Sequence, residues 1–401
     1  MIDALPPTLA AARQRIAAVQ PAAYARTRNA HDGAVSGLSP YITHGFVTLA
    51  EVLAGVVSRH PLGVQHKFVF ELGWRAYFRH VWQHRGAGIF DSLHQGPLPE
   101  EAYARELPAD VREGCTGVPV VDEAVRALYA TGTLHNHARM WLASYLVHLR
   151  KVHWRVGADW LYGHLLDGDL ASNHLSWQWV AGTASRKPYL FNAENVARYA
   201  PASWHSPGSV IDTTYEALDR LARQPPPPGS DRQARHRPPV SAEPRLASAP
   251  PAALGVIAPD AAAVSGCEVW LVHPWSLGEQ PAALPAGAAV IGIFVADFHR
   301  AWPWSERRWH FVGRRMAELA SHCWFGDATA IGTALQGARS VRSIAAPHLA
   351  PWLAQWAECE PEPTLFPPVE RRCDSFSQWW ARTTRGLDSA TDLLTVNQVP
   401  A

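Results

Sequence analysis

The run TGTLHNHARMWLASYLVHLRKVHWR (131–155) and, after a short gap, LLDGDLASNHLSWQWVAGTASRKPYLFN (165–192) decide how the chain is read. Three polar clusters interrupt otherwise apolar, helical sequence there: His135-Asn136-x-x-Arg139-Met140, Asp167-x-Asp169-x-x-x-Asn173 and Trp177-x-Trp179. Such groups are costly to bury unless they pair with one another or bind something. We read them as walls of a cavity for a polar, planar, hydrogen-bonding ligand. A helix from about 134 to 150 puts Asn136, Arg139, Met140 and Ala143 on one face. Asp169 and Asn173 stand four apart and reach one ligand. His135 and His137 stand two apart and share no helical face, which argues against a metal pair. Trp177 and Trp179 point about 200° apart on a helix. By spacing alone they are better read as two core layers than as walls of two sites.

The composition suits this picture. The chain has 401 residues, is 47% hydrophobic and 18% charged, and carries 36 Lys+Arg against 35 Asp+Glu. That length favours two domains with a sizeable core. The balanced charge offers no argument for tight nonspecific binding to nucleic acid, although it permits a local basic groove. Five cysteines stand far apart with no C-x-x-C, so neither a zinc nor a disulfide framework is expected. No leader-like start or membrane-length apolar run is found, so a cytoplasmic setting is expected.

Outward from the central stretch, residues 5–20 read as an Ala-rich helix. Ser39-Pro40 reads as an N-cap and first helical residue, with the helical pattern running towards Val57. The segment HKFVFELGWRAYFRHVW (66–82) is amphipathic, with Phe68, Glu71, Leu72 and Arg75 on one face. There Glu71 either pairs with a cation such as Arg75 or lines a site. Residues 86–110 read as loop and 120–130 as a helix. The Pro-rich stretch 224–253 reads as an extended linker with too little apolar content to fold. Beyond it, EVWLVH (268–273) and AVIGIFVAD (289–297) read as buried strands and 305–322 as a helix. CWFGD, SVRSIAA and TLFP then alternate with helices in the pattern of a small parallel sheet. No G-x-G-x-x-G occurs.

The motifs GLSPYITHG, FELGWRAYFRH, GCTGVPVVDEAVRAL, TGTLHNHARMWLAS and DGDLASNHLSWQWVAGT closely resemble the flavin-binding helical domain of the DNA photolyase/cryptochrome family over about residues 24–192. The fold class this implies is an all-α FAD-binding domain (1–223), the linker (224–253), an α/β Rossmann-like domain (254–386) and a tail (387–401). The resemblance implies FAD held by Tyr24, Ser36, Leu38, Ser39, Phe68, Arg75, Asn136, Arg139, Asp167, Asp169 and Asn173. Arg139 and Asp167 are expected to neutralise each other beside the ring. A site for a pyrimidine dimer is implied at Glu71, Trp74, Asn136, Met140 and Trp179. Trp177 and Trp154 match the inner and middle members of an electron relay.

Several positions depart from the family pattern. Val35 replaces a threonine in the phosphate run. The outer relay position falls near Glu101, leaving Tyr103 or Trp141 as substitutes. His137 stands where the family carries a phosphate-clamping arginine, and PYLFNAE lacks another, with Arg186, Lys187 or Arg79 to compensate. The α/β domain follows the helical one, whereas the family's antenna domain precedes it. This implies a swapped order and a possible pterin or deazaflavin antenna. The implied function is a light-driven cyclobutane pyrimidine dimer photolyase acting on UV-damaged DNA, the alternative being a cryptochrome-like photoreceptor that binds FAD without repair.

Overall fold

The computed structural model describes residues 5–226 and 238–396. Part of the expected linker (227–237) and the end of the tail (397–401) lie outside the described residues.

The first half is helical. The expected helix 5–20 is shorter, Leu9–Ala18, because Pro6 and Pro7 delay its start to a cap in which Thr8 accepts from the Ala11 N–H. The expected continuous helix from Ser39 to Val57 is two helices, Ser39–Thr43 and Leu49–Val57. Gly45 breaks it with φ 65°, and a Cβ there would stand 2.4 Å from the Trp275 carbonyl. The second helix restarts on a capping box of Thr48 and Glu51. Ser39 is therefore the first helical residue and Leu38 the cap, which corrects the N-cap assignment. The helix Lys67–Arg85 matches the amphipathic segment, and Pro119–Thr131 ends on Gly132 at φ 68°. Histidines cap three helices: His66, His135 and His153 each accept from a backbone N–H two residues on. The helix Asn136–Ser144 runs into a π turn, Tyr145–Leu149, rather than continuing regularly to 150. Trp154–His164 and Leu170–Ala181 follow and pack closely on each other.

The second half contains strands β1 (Leu246–Ala247), β2 (Glu268–Val272), β3 (Ala289–Val295), β4 (Trp304–Ser305), β5 (His322–Gly326), β6 (Ser340–Ile344) and β7 (Glu358–Glu360). Five of them form a parallel sheet in the order β5-β3-β2-β6-β7. The most apolar runs, β2 and β3, lie inside the sheet, as parallel sheets covered on both faces require. TLFP (364–367) is loop, not strand, and β7 takes that place. Pro363, Pro367 and Pro368 have no N–H to give to a ladder.

The two halves share one apolar core. It runs from Ala12, Leu53 and Leu72 to Leu271, Ile293 and Trp380, while a second core gathers residues 98–211. Arg308, fully buried, donates to the carbonyls of Tyr162 (3.0 Å) and Gly168 (2.6 Å) across the junction. His44 is buried with its ring nitrogens 2.7 Å from the Pro274 carbonyl and 2.9 Å from that of Leu166. The described part of the expected linker is anchored rather than free. Glu243 accepts from Trp160 (3.0 Å) and sits 3.2 Å from His164, and β1 pairs antiparallel with β4. Polar contacts thus hold a segment that has little apolar surface.

Candidate functional site

A cavity of about 240 Å³ opens between the helices Lys67–Arg85 and Asn136–Ser144 and the loop 35–39. Tyr24, Ser36, Ser39, Glu71, Asn136, Arg139 and Asp167 line it, brought together from separate segments. Arg28 also lines it, and sequence reasoning missed it.

The charges here are arranged in pairs. Arg139 Nη2 donates to both Asp167 oxygens, at 2.9 and 2.8 Å, and its Nε donates to the Leu134 carbonyl at 2.9 Å. Asp167 is nearly buried, and the arginine offsets the cost of that burial. Glu71 pairs with Arg28 Nε at 3.4 Å, not with Arg75. Arg75 lies one turn on and points away, donating to Thr43 Oγ1 at 3.0 Å. The Arg28 carbonyl in turn meets His135 Nε2 at 3.0 Å. The Glu71 side chain keeps 40% exposure towards the cavity. The surrounding protein still pushes its carboxyl pKa up, with Arg28 opposing. Burial likewise raises the Tyr24 phenol, whose ring meets Phe68 edge-on at 5.4 Å.

Other predicted residues surround this cavity without lining it. Leu38 and Phe68 are buried beneath it. Arg75 and Asp169 line a neighbouring cavity of about 270 Å³, whose far wall is Trp275, Glu362 and Phe366 from the α/β half. Asp169 caps the helix Leu170–Ala181 through the Ser172 N–H at 2.8 Å. Burial acts to raise its carboxyl pKa, but Arg79 and Arg75 outweigh it and hold the group well below the usual carboxylate range. Asn173 Nδ2 donates to the Ala158 carbonyl at 2.8 Å, which fixes the amide on the helix Trp154–His164.

Of the expected dimer-site residues, Glu71 and Asn136 line the cavity, while Trp74, Met140 and Trp179 are not among its lining residues. Asn136 and Met140 touch, with Nδ2 to Sδ at 3.5 Å. Trp74 stacks on Phe376 of the helix Phe376–Thr383, and Trp179 is exposed beside Tyr189 at 5.5 Å. Trp177 and Trp154 are buried, and Trp154 Nε1 donates to Ser92 Oγ at 3.0 Å. Of the two substitutes for the outer relay position, Tyr103 stands one ring away from Trp154. His153 lies between them, at 6.3 and 5.6 Å. Trp141 instead packs on His137 and Phe191. Arg79, expected to compensate for lost phosphate contacts, is engaged internally with Glu362 at 3.0 Å, whereas Arg186 and Lys187 are exposed.

The site is thus a small cavity with a paired arginine, an amide, hydroxyls and one carboxyl of raised pKa. That donor and acceptor set suits a planar heterocycle with a polar, phosphate-bearing arm. A helical ligand-binding domain joined to a small α/β domain is the class this fold and site define. Residues 68–204 match the sequence profile of the FAD binding domain of DNA photolyase. This segment, about a third of the chain, is similar to the FAD-binding domain of the photolyase/cryptochrome family. It is 38% identical over 152 residues to the deoxyribodipyrimidine photo-lyase of Streptomyces griseus, covering 38% of this chain and 33% of that protein. It is 32% identical over 206 residues to a cryptochrome DASH of Ostreococcus tauri, covering 49% of this chain and 37% of that one. Among solved structures, a Synechocystis cryptochrome overlaps 48% of this chain and 43% of its own, at 29% identity and a TM-score of 0.43. The chain thus spans about a third of the length of these curated relatives. Among the described residues, no helix is long and apolar enough to cross a membrane.

Proposed function

We propose that this chain binds FAD and works as a light-driven photolyase on cyclobutane pyrimidine dimers in UV-damaged DNA, in the cytoplasm. The carrying observation is the cavity that gathers Tyr24, Ser36, Ser39, Glu71, Asn136, Arg139 and Asp167 from segments far apart in sequence. These residues fit the cofactor chemically. At Gly37, φ 62°, the Arg15 guanidinium sits against the loop, 2.4 Å from an added Cβ, where a cation suits a phosphate arm.

In this reading Tyr24, Ser36, Leu38 and Ser39 hold the phosphates, with Phe68 packed beneath. Arg75, Asn136, Arg139, Asp167, Asp169 and Asn173 hold the sugar and ring. The cofactor supplies light absorption and a transferable electron. The chain's own residues orient and shield the reactants. Glu71 is the dimer's hydrogen-bonding partner, its carboxyl lining the cavity beside Arg28. Met140, Trp74 and Trp179 would form apolar walls. Trp154 and Trp177 would carry electrons to the flavin during its reduction, and the α/β domain, read as antenna-like in swapped order, would hold a pterin or deazaflavin.

One observation favours a second reading, a cryptochrome-like photoreceptor that does not repair. One face of the Trp74 ring is stacked on Phe376 and so is closed to a flipped base. The deciding experiment is to purify the protein in the dark, record its flavin spectrum, and illuminate it with blue light and a reductant beside an oligonucleotide carrying a thymine dimer. Loss of the dimer, reduced in Glu71→Ala at unchanged flavin content, supports repair. Photoreduction with the dimer intact supports the photoreceptor. A protein that takes up no FAD even on reconstitution ends both readings.

A further inference from the structure

The helix Glu306–Leu319 carries four arginines with two fates. Arg308 and Arg315 are buried and hold the fold, Arg308 on two carbonyls and Arg315 on Leu277 and Glu318. Arg307 and Arg314 are exposed and have no carboxylate partner among the described residues. They lie seven apart, with His310 between them, so one helical stripe presents all three. That stripe forms one wall of a cavity of about 750 Å³, which adjoins the flavin cavity at Leu5 and Thr133 but has its own charged wall. Across from it stand the end of the helix Pro119–Thr131, His164, Leu166 and the strap at Pro244.

Two further observations point to a ligand. Ser305, at the N-cap and lining the cavity, is 3% exposed, yet its hydroxyl has no partner and makes no capping bond. The first-turn N–H groups of this 14-residue helix therefore lack a side-chain cap at its positive end. His164, 2% exposed, is held by Glu243 through Nε2 while its Nδ1 has no partner. The carboxylate lining this cavity, Glu306, is exposed and lies 3.4 Å from His310. Leu128, Leu166 and Phe311 supply an apolar floor.

We infer that this cavity is a second ligand site, for a small phosphorylated molecule with an apolar or aromatic body. Two arginine forks about 10 Å apart along the helix and an uncapped helix N-terminus suit an anion with several oxygens. A floor of this kind buries the rest of the molecule, and the volume falls within the ~300–1,000 Å³ of small-molecule pockets. The inference does not rest on the flavin reading.

The test is calorimetric titration of the full chain with naphthyl phosphate, inorganic phosphate and naphthol, with flavin content measured on the same samples. Naphthyl phosphate is expected to bind more tightly than either half of it. Arg307→Ala with Arg314→Ala should weaken it at least about tenfold, at unchanged flavin content and melting temperature. Ser305→Ala should weaken it too without lowering the melting temperature, since the hydroxyl has no partner to lose. No measurable binding, or binding indifferent to the double variant, overturns the site. Equally, if a short DNA duplex binds through these arginines and naphthyl phosphate does not, the surface is a nucleic-acid contact and the proposal fails.

Discussion

The Trp74 and Phe376 rings lie 4.0 Å apart and only 13° from parallel, which seats a helix from the end of the chain on the helix that carries Glu71 and Arg75. Phe70 and Gly73 complete that seat: Phe70 meets Phe376 and Trp380, and a Cβ on Gly73 would lie 2.3 Å from the Trp380 ring. The conformation of the site is therefore coupled to residues some three hundred positions away.

Truncating Phe376 to alanine removes a nearly buried aromatic ring and should cost about 3 kcal/mol in urea denaturation. Hydrogen exchange in 67–85 should rise in the same variant. A loss below about 1 kcal/mol would mean the C-terminal helix is not seated there.

Arg139→Gln leaves the Asp167 carboxylate without its partner. We expect a loss of about 2 kcal/mol, less than the ~3–5 for a fully buried pair because Arg139 is 27% exposed. Adding Asp167→Asn should restore part of it. Equal stability of the single and double variants would show that the pair does not couple.

Acid should destabilise the protein in two stages. Burial lowers the pKa of His44 to about 3, of His299 to about 3 and of His273 to about 4, so each folds neutral. Their contribution is complete above the unfolded value of about 6.5 and is lost as pH falls towards the folded values. Asp169, also depressed, adds a second loss below about pH 3.9. Thermal melts should decline as pH falls below about 6.5. A melting temperature still flat at about pH 4.5 would contradict this assignment.

Gly157 sits in the helix Trp154–His164 with the Trp177 ring where a side chain would be, 2.3 Å from an added Cβ. Gly157→Ala should therefore destabilise by about 1–3 kcal/mol through overpacking, despite a gain of ~1 in helix propensity. A more stable variant in chemical denaturation would show that Trp177 yields at no cost.

Much of this molecule was legible from local pattern. Periodicity placed helices over 66–82 and 120–130, which the structure extends to Lys67–Arg85 and Pro119–Thr131, and located the strands β2, β3, β5 and β6, because one face of each must be apolar to reach a core. The pairing of Arg139 with Asp167 was also foreseeable, since two opposite charges in apolar sequence must meet something. Their service to a cofactor remains a proposal.

Tertiary contact decided the rest. Arg28, not Arg75, faces Glu71, and Arg79 turns inward to Glu362, because side-chain direction depends on which element lies opposite. Trp74 is covered by Phe376, and the described part of the linker is pinned by Glu243 and β1. Sequence determines which residues must leave water and with what period. It does not encode which distant partner covers them, since that is set by long-range packing that leaves no local pattern.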